Sequence, residues 1–133
     1  MAALTQDVAE VAAPPLVPAD QPIDLTHLSQ MTLGERSLEC EVLALFDRQA
    51  ELLLPRIRAG APAVIAAAAH TLKGSARGIG AWRVARAAEG VEGAGPADFA
   101  GAVDALEAAI AETKAAIVHL LQSNSQAHAR SES

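Results

Sequence analysis

Residues 66–82 read AAAAHTLKGSARGIGAW, and they predict a helix with two unlike faces that ends in a glycine turn. An α-helix turns by about 100° per residue, so the number of residues between a position and His70 gives the helix face on which its side chain lies. The residues opposite His70 are apolar: Ile65, Ala68, Leu72 and Ile79. Those on its own side are small or basic: Ala63, Ala66, Ala67, Lys73, Gly74 and Arg77. The stretch therefore predicts a helix that packs through one face and presents an imidazole on the other.

The composition of the whole chain predicts an all-α protein. Its 133 residues include no tyrosine and only 2% aromatics, whereas strands favour aromatic and β-branched residues. A net charge of −6 argues against general nucleic-acid binding, which needs a basic surface. The single cysteine, Cys40, excludes an internal disulfide. No apolar run approaches the roughly 20 residues that span a bilayer, and the N-terminus lacks a basic leader, so we expect a soluble, cytoplasmic protein.

Helix-forming segments occupy residues 23–122, between tails at 1–22 and 123–133 that we predict to be flexible. Asp24 is the predicted N-cap of a short helix that Gly34 ends. Longer helices are predicted at about 35–59, 62–77, 81–92 and 99–121, with breaks at Gly60, Gly78, Gly80 and Gly95 and a kink or an earlier helix end at Pro55. Four such helices joined by short loops predict an antiparallel four-helix bundle with a short additional N-terminal helix.

The spacing of apolar residues also predicts which side chains form the core. In the second helix a stripe at three- and four-residue steps contains Leu38, Val42, Leu45, Phe46, Leu53 and Ile57. Leu25, Leu28 and Met31 supply the stripe of the short helix, and Trp82 is expected in the core. Because its side chain is small, we predict that Cys40 is buried or half-buried. We predict that His27, His119 and His128 lie on the surface.

The hairpin between the two middle helices predicts a partner for His70. If the turn centres near Ala81, His70 and Glu92 lie eleven residues from it on either side, at a similar height. A carboxylate there accepts a hydrogen bond from Nδ1–H and leaves Nε2 as an unprotonated nucleophile. Lys73 and Arg77 would favour an incoming anion, and Gly74 would leave room for it.

The run His70–Ala76 (HTLKGSA), followed by Gly78-Ile79-Gly80-Ala81, resembles the signature of histidine-containing phosphotransfer (HPt) domains. These domains are intermediates of two-component phosphorelays, and the similarity extends less specifically from Ile23 to Leu121. It implies that His70 accepts a phosphoryl group from the phospho-aspartate of a receiver domain and passes it reversibly to another receiver. It also implies that Lys73 is the basic residue next to the phosphorylated His70, and that the small Gly74 gives a partner access to His70. Glu92 would be the residue that hydrogen-bonds the histidine ring.

The resemblance also implies the partners and the cofactors. The partners would be receiver domains of hybrid histidine kinases and response regulators, and these receivers would supply the Mg²⁺. We expect them to dock on the face formed by Ala66, Ala67, Lys73, Gly74, Arg77 and Gly78. Arg77 departs from the pattern of many relatives, which have a small residue at that position. The chain has no GxxxxGK[ST] phosphate loop and no acidic cluster beside His70, so we expect no ATP binding, no kinase activity and no cofactor of its own.

Two other functions stay open at this point. A helical adapter could dock a receiver without accepting phosphate, although the intact His70 favours transfer. A phosphoacceptor module of a kinase-like protein would build its bundle from two chains, with two helices from each. Four helices in one chain favour a monomer.

Overall fold

The protein is an all-α bundle, as predicted. The computed structural model describes the backbone of residues 21–132 and the side chains of residues 21–123. Within that range the helices are α1 (Leu25–Met31), α2 (Arg36–Ala59), α3 (Pro62–Ile79), α4 (Trp82–Gly93) and α5 (Phe99–Glu132). Among these helices none combines the length and hydrophobicity that a membrane crossing requires.

The four long helices pack as an antiparallel ring around one core. Each contacts its neighbours in chain order, α2 also contacts α5, and α1 lies against α3. Long aliphatic side chains fill the centre: Leu43 and Ile57 of α2, Leu72 of α3, Val84 of α4, and Leu106 and Ile117 of α5. Alanines such as Ala69, Ala76 and Ala88 are fully covered, and their small size lets α3 and α4 approach closely. As a result, α4 lies directly beside the part of α3 that carries His70.

Two predicted helix ends do not occur. Pro55 lies on the exposed side of α2 and does not end the helix, which continues to Ala59. Gly78 lies inside α3, which extends to Ile79 and therefore two residues beyond the predicted end. Gly80 ends the helix instead, in the left-handed conformation with φ 78°, and its amide bonds the carbonyls of the last turn. A glycine with ordinary helical angles weakens a helix but need not break it.

The last helix is longer than predicted. We expected a flexible segment from residue 123, but the α5 backbone is helical to Glu132. The expectation rested on polar composition, which does not by itself stop a helix, and no Gly or Pro follows Gly101. Residues 1–20 of the predicted N-terminal tail lie outside the described residues. The side chain of His128 does too, so its surface position stays a prediction. The domain limits of 23 and 122 remain predictions.

The short helix α1 is anchored to the α3–α4 turn by polar contacts. Asp24 caps α1 as predicted, because Oδ1 accepts from the amide of His27 at 3.1 Å. Its Oδ2 accepts from Trp82 Nε1 at 3.0 Å, so Trp82 is half-buried at this junction rather than in the core. His27 is half-buried at the surface, and its Nε2 lies 2.9 Å from the Arg77 carbonyl, a contact that the sequence did not predict. His119 is exposed, as predicted.

Part of the predicted core is exposed. Phe46, Leu53 and Ile57 are buried and Cys40 is half-buried, as expected. Leu45 is 56% exposed and Leu38 is 37% exposed, although both belong to the apolar stripe of α2. In α1 only Leu28 is buried, whereas Leu25 and Met31 are exposed. These helices have a wider apolar surface than the bundle can cover, so some of it faces solvent.

Candidate functional site

His70 projects from the middle of α3 into solvent, with 73% of its side chain exposed. Its Nδ1 lies 3.2 Å from Oε2 of Glu92. A carboxylate can only accept, so this contact assigns the hydrogen of the neutral ring to Nδ1. The lone pair of Nε2 is then available to an electrophile, as the sequence predicts.

The α3–α4 hairpin places Glu92 beside the imidazole. Gly80 reverses the chain, Trp82 begins α4, and the two helices return in antiparallel register. His70 and Glu92 are therefore level, which is the contact predicted from their equal distance to Ala81. Only 24% of the Glu92 side chain is exposed, so the carboxylate is held near the surface but is not freely solvated.

Lys73 also contacts Glu92. Its Nζ lies 2.7 Å from Oε1 of Glu92, and only 14% of the Lys73 side chain is exposed. The hydrogen bond from Lys73 is the main reason that the pKa of Glu92 is below its ordinary value of 4.5; burial opposes the shift and the bond to His70 adds to it. The expected role of Lys73 at a bound phosphoryl group remains a prediction, and in the free protein its ammonium is engaged by the carboxylate.

The surface around His70 consists mainly of small residues. Ala66, Ala67 and Gly74 are exposed and Gly78 is half-buried. A Cβ added at Gly74 or Gly78 would meet nothing within 4 Å, so these glycines leave open space above the helix. Arg77 is exposed, with its guanidinium 3.8 Å from the Glu89 carboxylate. Of the six predicted docking residues, Lys73 offers a partner little of its side chain, because only 14% of it is exposed.

An apolar groove beside this face was not predicted from the sequence. It has a volume of about 430 Å³ and lies between α1, α2 and α3. Its lining includes Met31 of α1, Leu38, Val42 and Leu45 of α2, and Ser75 and Gly78 of α3. The spacing of Leu38, Val42 and Leu45 within α2 is the signal that could have indicated a second apolar face. Because Gly78 belongs to both surfaces, the groove and the His70 face are continuous.

No group of three or more His, Cys, Asp or Glu side chains within residues 21–123 is arranged to hold a metal ion. The groups nearest to His70 are instead one carboxylate and one ammonium. This arrangement can orient an imidazole, balance a positive charge on it, and expose Nε2 above a surface of small residues.

Comparisons with known proteins agree with this geometry. The family model of the Hpt domain matches residues 41–116, a span of more than half of the chain. The crystal structure of the histidine phosphotransferase ShpA from Caulobacter crescentus is similar over 84% of this chain and 99% of its own, with a TM-score of 0.58 and 28% sequence identity. A comparison of the sequence with curated proteins gives no significant match. The matched span contains most of the bundle core, the exposed His70 and its partner Glu92, and the chain therefore belongs to the Hpt domain family.

Proposed function

We propose that this chain is a cytoplasmic phosphorelay intermediate that carries a phosphoryl group on His70 between receiver domains. The observation that supports it most is the exposed imidazole of His70, whose Nδ1 is bonded to Glu92. A ring fixed in this way presents Nε2 as the nucleophile without any further proton transfer. Membership of the Hpt domain family and the likeness to a histidine phosphotransferase support the same role.

The proposed step is a direct displacement at phosphorus. Nε2 of neutral His70 attacks the phosphorus of the receiver's phospho-aspartate, an N–P bond forms, and the P–O bond to the aspartyl carboxylate breaks. The aspartate leaves as a carboxylate, and the ring becomes a phosphorylated imidazolium that keeps its Nδ1 hydrogen. Transfer to the next receiver is the reverse of this step. The receiver would supply the Mg²⁺ and the remaining catalytic groups.

Glu92 has a different task before and after the displacement. Before attack, its Oε2 orients the ring by accepting from Nδ1, at the observed 3.2 Å. As the N–P bond forms, positive charge develops on the ring, and a carboxylate at this distance stabilises it. Because Glu92 has a lowered pKa, it is ionised throughout the physiological range and serves both purposes without a proton of its own.

The surroundings of His70 fit a macromolecular donor better than a small molecule. Gly74, Ala66 and Ala67 are small and exposed, so they leave room for a large partner beside His70, and the apolar groove continues past Gly78. We propose that a receiver domain covers both surfaces while its phospho-aspartate reaches Nε2. Exposed aliphatic side chains such as Leu45 would then be buried on binding, which is a common source of binding energy.

Labelling with a phosphorylated receiver tests the proposal. Purified protein is mixed with Mg²⁺ and receivers from the same cell that carry labelled phosphate. Wild type is expected to acquire phosphate that is stable in base and labile in acid, as a phosphoramidate is. His70→Ala is expected to acquire none, whereas His119→Ala, which removes another exposed histidine, is expected to label normally.

The same experiment distinguishes the two alternatives. An adapter would bind a receiver, for example by titration calorimetry, without gaining any label. A two-chain phosphoacceptor bundle would elute as a dimer in size-exclusion chromatography with light scattering, while we expect a monomer because one chain supplies all four long helices. Acid-labile label that persists in His70→Ala would contradict the assignment of the acceptor.

A further inference from the structure

The connection between α1 and α2 holds a leucine in a strained backbone conformation. Leu33 has φ 55°, and it is the one residue other than glycine with a positive φ in the described part of the chain. Left-handed angles bring the Cβ of an ordinary residue too close to the following carbonyl oxygen, so glycine is the usual residue at such a position. Gly34, which follows with φ 74°, has the residue type that these angles favour.

Hydrogen bonds at the end of α1 fix this conformation. The amide of Gly34 donates to the carbonyl of Ser29 at 2.9 Å, which is the bond that closes a Schellman helix end. The hydroxyl of Thr32, a residue that is 2% exposed, donates to the carbonyl of Leu28 at 2.8 Å. The contacts on either side therefore determine the turn, and Leu33 has to adopt its left-handed angles.

The side chain of Leu33 contributes little to the stability of the fold in return. It is 86% exposed, more than any other large apolar side chain in the part of the chain that the structure describes. A side chain that stays in water gains almost no burial energy. A single exposed leucine is ordinary, but the folding of the free protein does not explain one that also requires an unfavourable backbone. Strained residues of this kind cluster at binding sites and switch regions.

Leu33 lies at the edge of the apolar groove between α1, α2 and α3. Met31 and Thr32, the two residues before it, both line that groove. Because consecutive Cα atoms are 3.8 Å apart, the backbone of Leu33 is directly beside the groove wall. The lining also includes Gly78, which is eight residues, or about 12 Å, along α3 from His70.

We propose that Leu33 is a contact residue for the receiver domain, an apolar side chain that the strained end of α1 holds in solvent until the partner covers it. The inference rests on the proposed function, because the partner is the same receiver. The receiver is the expected occupant because the groove beside Leu33 is continuous with the His70 face through Gly78. A folded domain of about 100 residues has a radius of gyration of about 13 Å, so one partner can cover both surfaces.

Leu33→Gly tests the proposal, because stability and binding should change in opposite directions. Glycine accepts left-handed angles, so we expect the midpoint of urea denaturation of the full-length protein to rise by roughly 0.2–0.5 M. Loss of the apolar side chain should weaken binding to a phosphorylation-deficient receiver by at least about fivefold in titration calorimetry. A leucine that served only the fold would instead lower the midpoint when removed and leave the affinity unchanged.

Three further variants identify the property of Leu33 that matters. Leu33→Asn keeps a Cβ and tolerates left-handed angles but is polar, so it should weaken binding as Leu33→Gly does. Leu33→Met keeps an apolar side chain and should bind nearly as tightly as wild type. Leu25→Asn is the matched control, because Leu25 is 51% exposed on the same helix but does not line the groove. All variants should transfer phosphate at the wild-type rate when the receiver is saturating, because none of them changes His70 or its partners.

Three results would overturn the inference. In the first, Leu33→Gly binds the receiver as tightly as wild type. In the second, its urea midpoint falls, which would mean that the leucine serves the fold. In the third, wild type self-associates in size-exclusion chromatography with light scattering and Leu33→Gly does not, which would assign Leu33 to a contact between copies of this chain. Failure of the proposed function looks different, because wild type itself would then bind no receiver and acquire no acid-labile phosphate, and the inference would fall with it.

Discussion

The amide of Asp24 donates a hydrogen bond to the carbonyl of Gly80 at 2.9 Å, and this contact joins the start of α1 to the turn between α3 and α4. Gly80 has φ 78°, and a Cβ at this position would lie 2.9 Å from both the Cβ and the carbonyl oxygen of Asp24. The turn that aligns His70 with Glu92 is therefore also the site where the short helix is attached.

This relationship predicts that Gly80→Ala is destabilising. The left-handed conformation alone costs an alanine about 1–2 kcal/mol, and the close contact with Asp24 adds to it. Gly78→Ala is the matched control, because its Cβ would meet nothing within 4 Å and alanine favours a helix by up to about 1 kcal/mol. Urea denaturation should show opposite signs for the two variants. Equal stability of both would contradict the close packing of α1 against the turn.

A second prediction concerns the carboxylate of Asp24, which is 8% exposed and accepts from both the His27 amide and Trp82 Nε1. Asp24→Ala removes an N-cap and a side-chain hydrogen bond, so we expect a loss of about 2 kcal/mol in the free energy of unfolding at pH 7. Asn also caps helices, so Asp24→Asn should lose less. Chemical denaturation of the three proteins measures both differences.

The contribution of Asp24 should depend on pH with a defined sign. Burial of the carboxyl opposes its ionisation, but the hydrogen bonds from Trp82 and His27 outweigh burial and hold the pKa below 3.8. A pKa that is lower in the folded state stabilises the protein above the unfolded value, and this stabilisation is lost as the pH falls through the folded pKa. The advantage of wild type over Asp24→Asn should therefore shrink below about pH 4. A constant difference down to pH 2 would contradict this.

Local patterns predict the helices and the His70–Glu92 contact well. The predicted segment 35–59 became α2, Arg36–Ala59, and the equal spacing from Ala81 gave the right partner for His70 because antiparallel helices rise at the same rate. The pair of donors around Glu92, His70 Nδ1 and Lys73 Nζ, was only half predicted. A helical wheel gives the side from which Lys73 leaves α3, but not the direction in which its long side chain turns.

The other differences arise from contacts between segments distant in sequence. His27 and Trp82 meet at the α1 junction although they are far apart in the chain, so periodicity within either helix could not predict their partners. The exposure of Leu45 has a similar origin. The stripe on α2 is wide enough for two faces, and only the position of the neighbouring helices decides which face is covered.

A third prediction concerns Gly74, one turn beyond His70. A glutamine side chain here would stand on the open face and should block a receiver, so we expect Gly74→Gln to slow transfer by at least about tenfold, the effect of 1.4 kcal/mol. The substitution should not unfold the protein, because Gln is a better helix former than Gly. Gly74→Ala is the control, with slightly raised stability and transfer that stays closer to wild type. Transfer at the wild-type rate in Gly74→Gln would mean that the partner approaches from another direction.

The last prediction concerns the apolar groove. Leu45 is 56% exposed in the free protein and lines the groove that continues from the His70 face, so a charge there costs little in folding but would be buried against a receiver. We expect Leu45→Glu to weaken receiver binding by at least about tenfold, while the far-ultraviolet circular dichroism and the melting temperature stay near wild type. Val118→Glu is the matched control, because Val118 is 51% exposed on α5 and does not line the groove. Titration calorimetry with a phosphorylation-deficient receiver separates binding from chemistry. If both variants bind as wild type does, the receiver does not cover the groove, and docking is confined to the surface around His70 and Gly74.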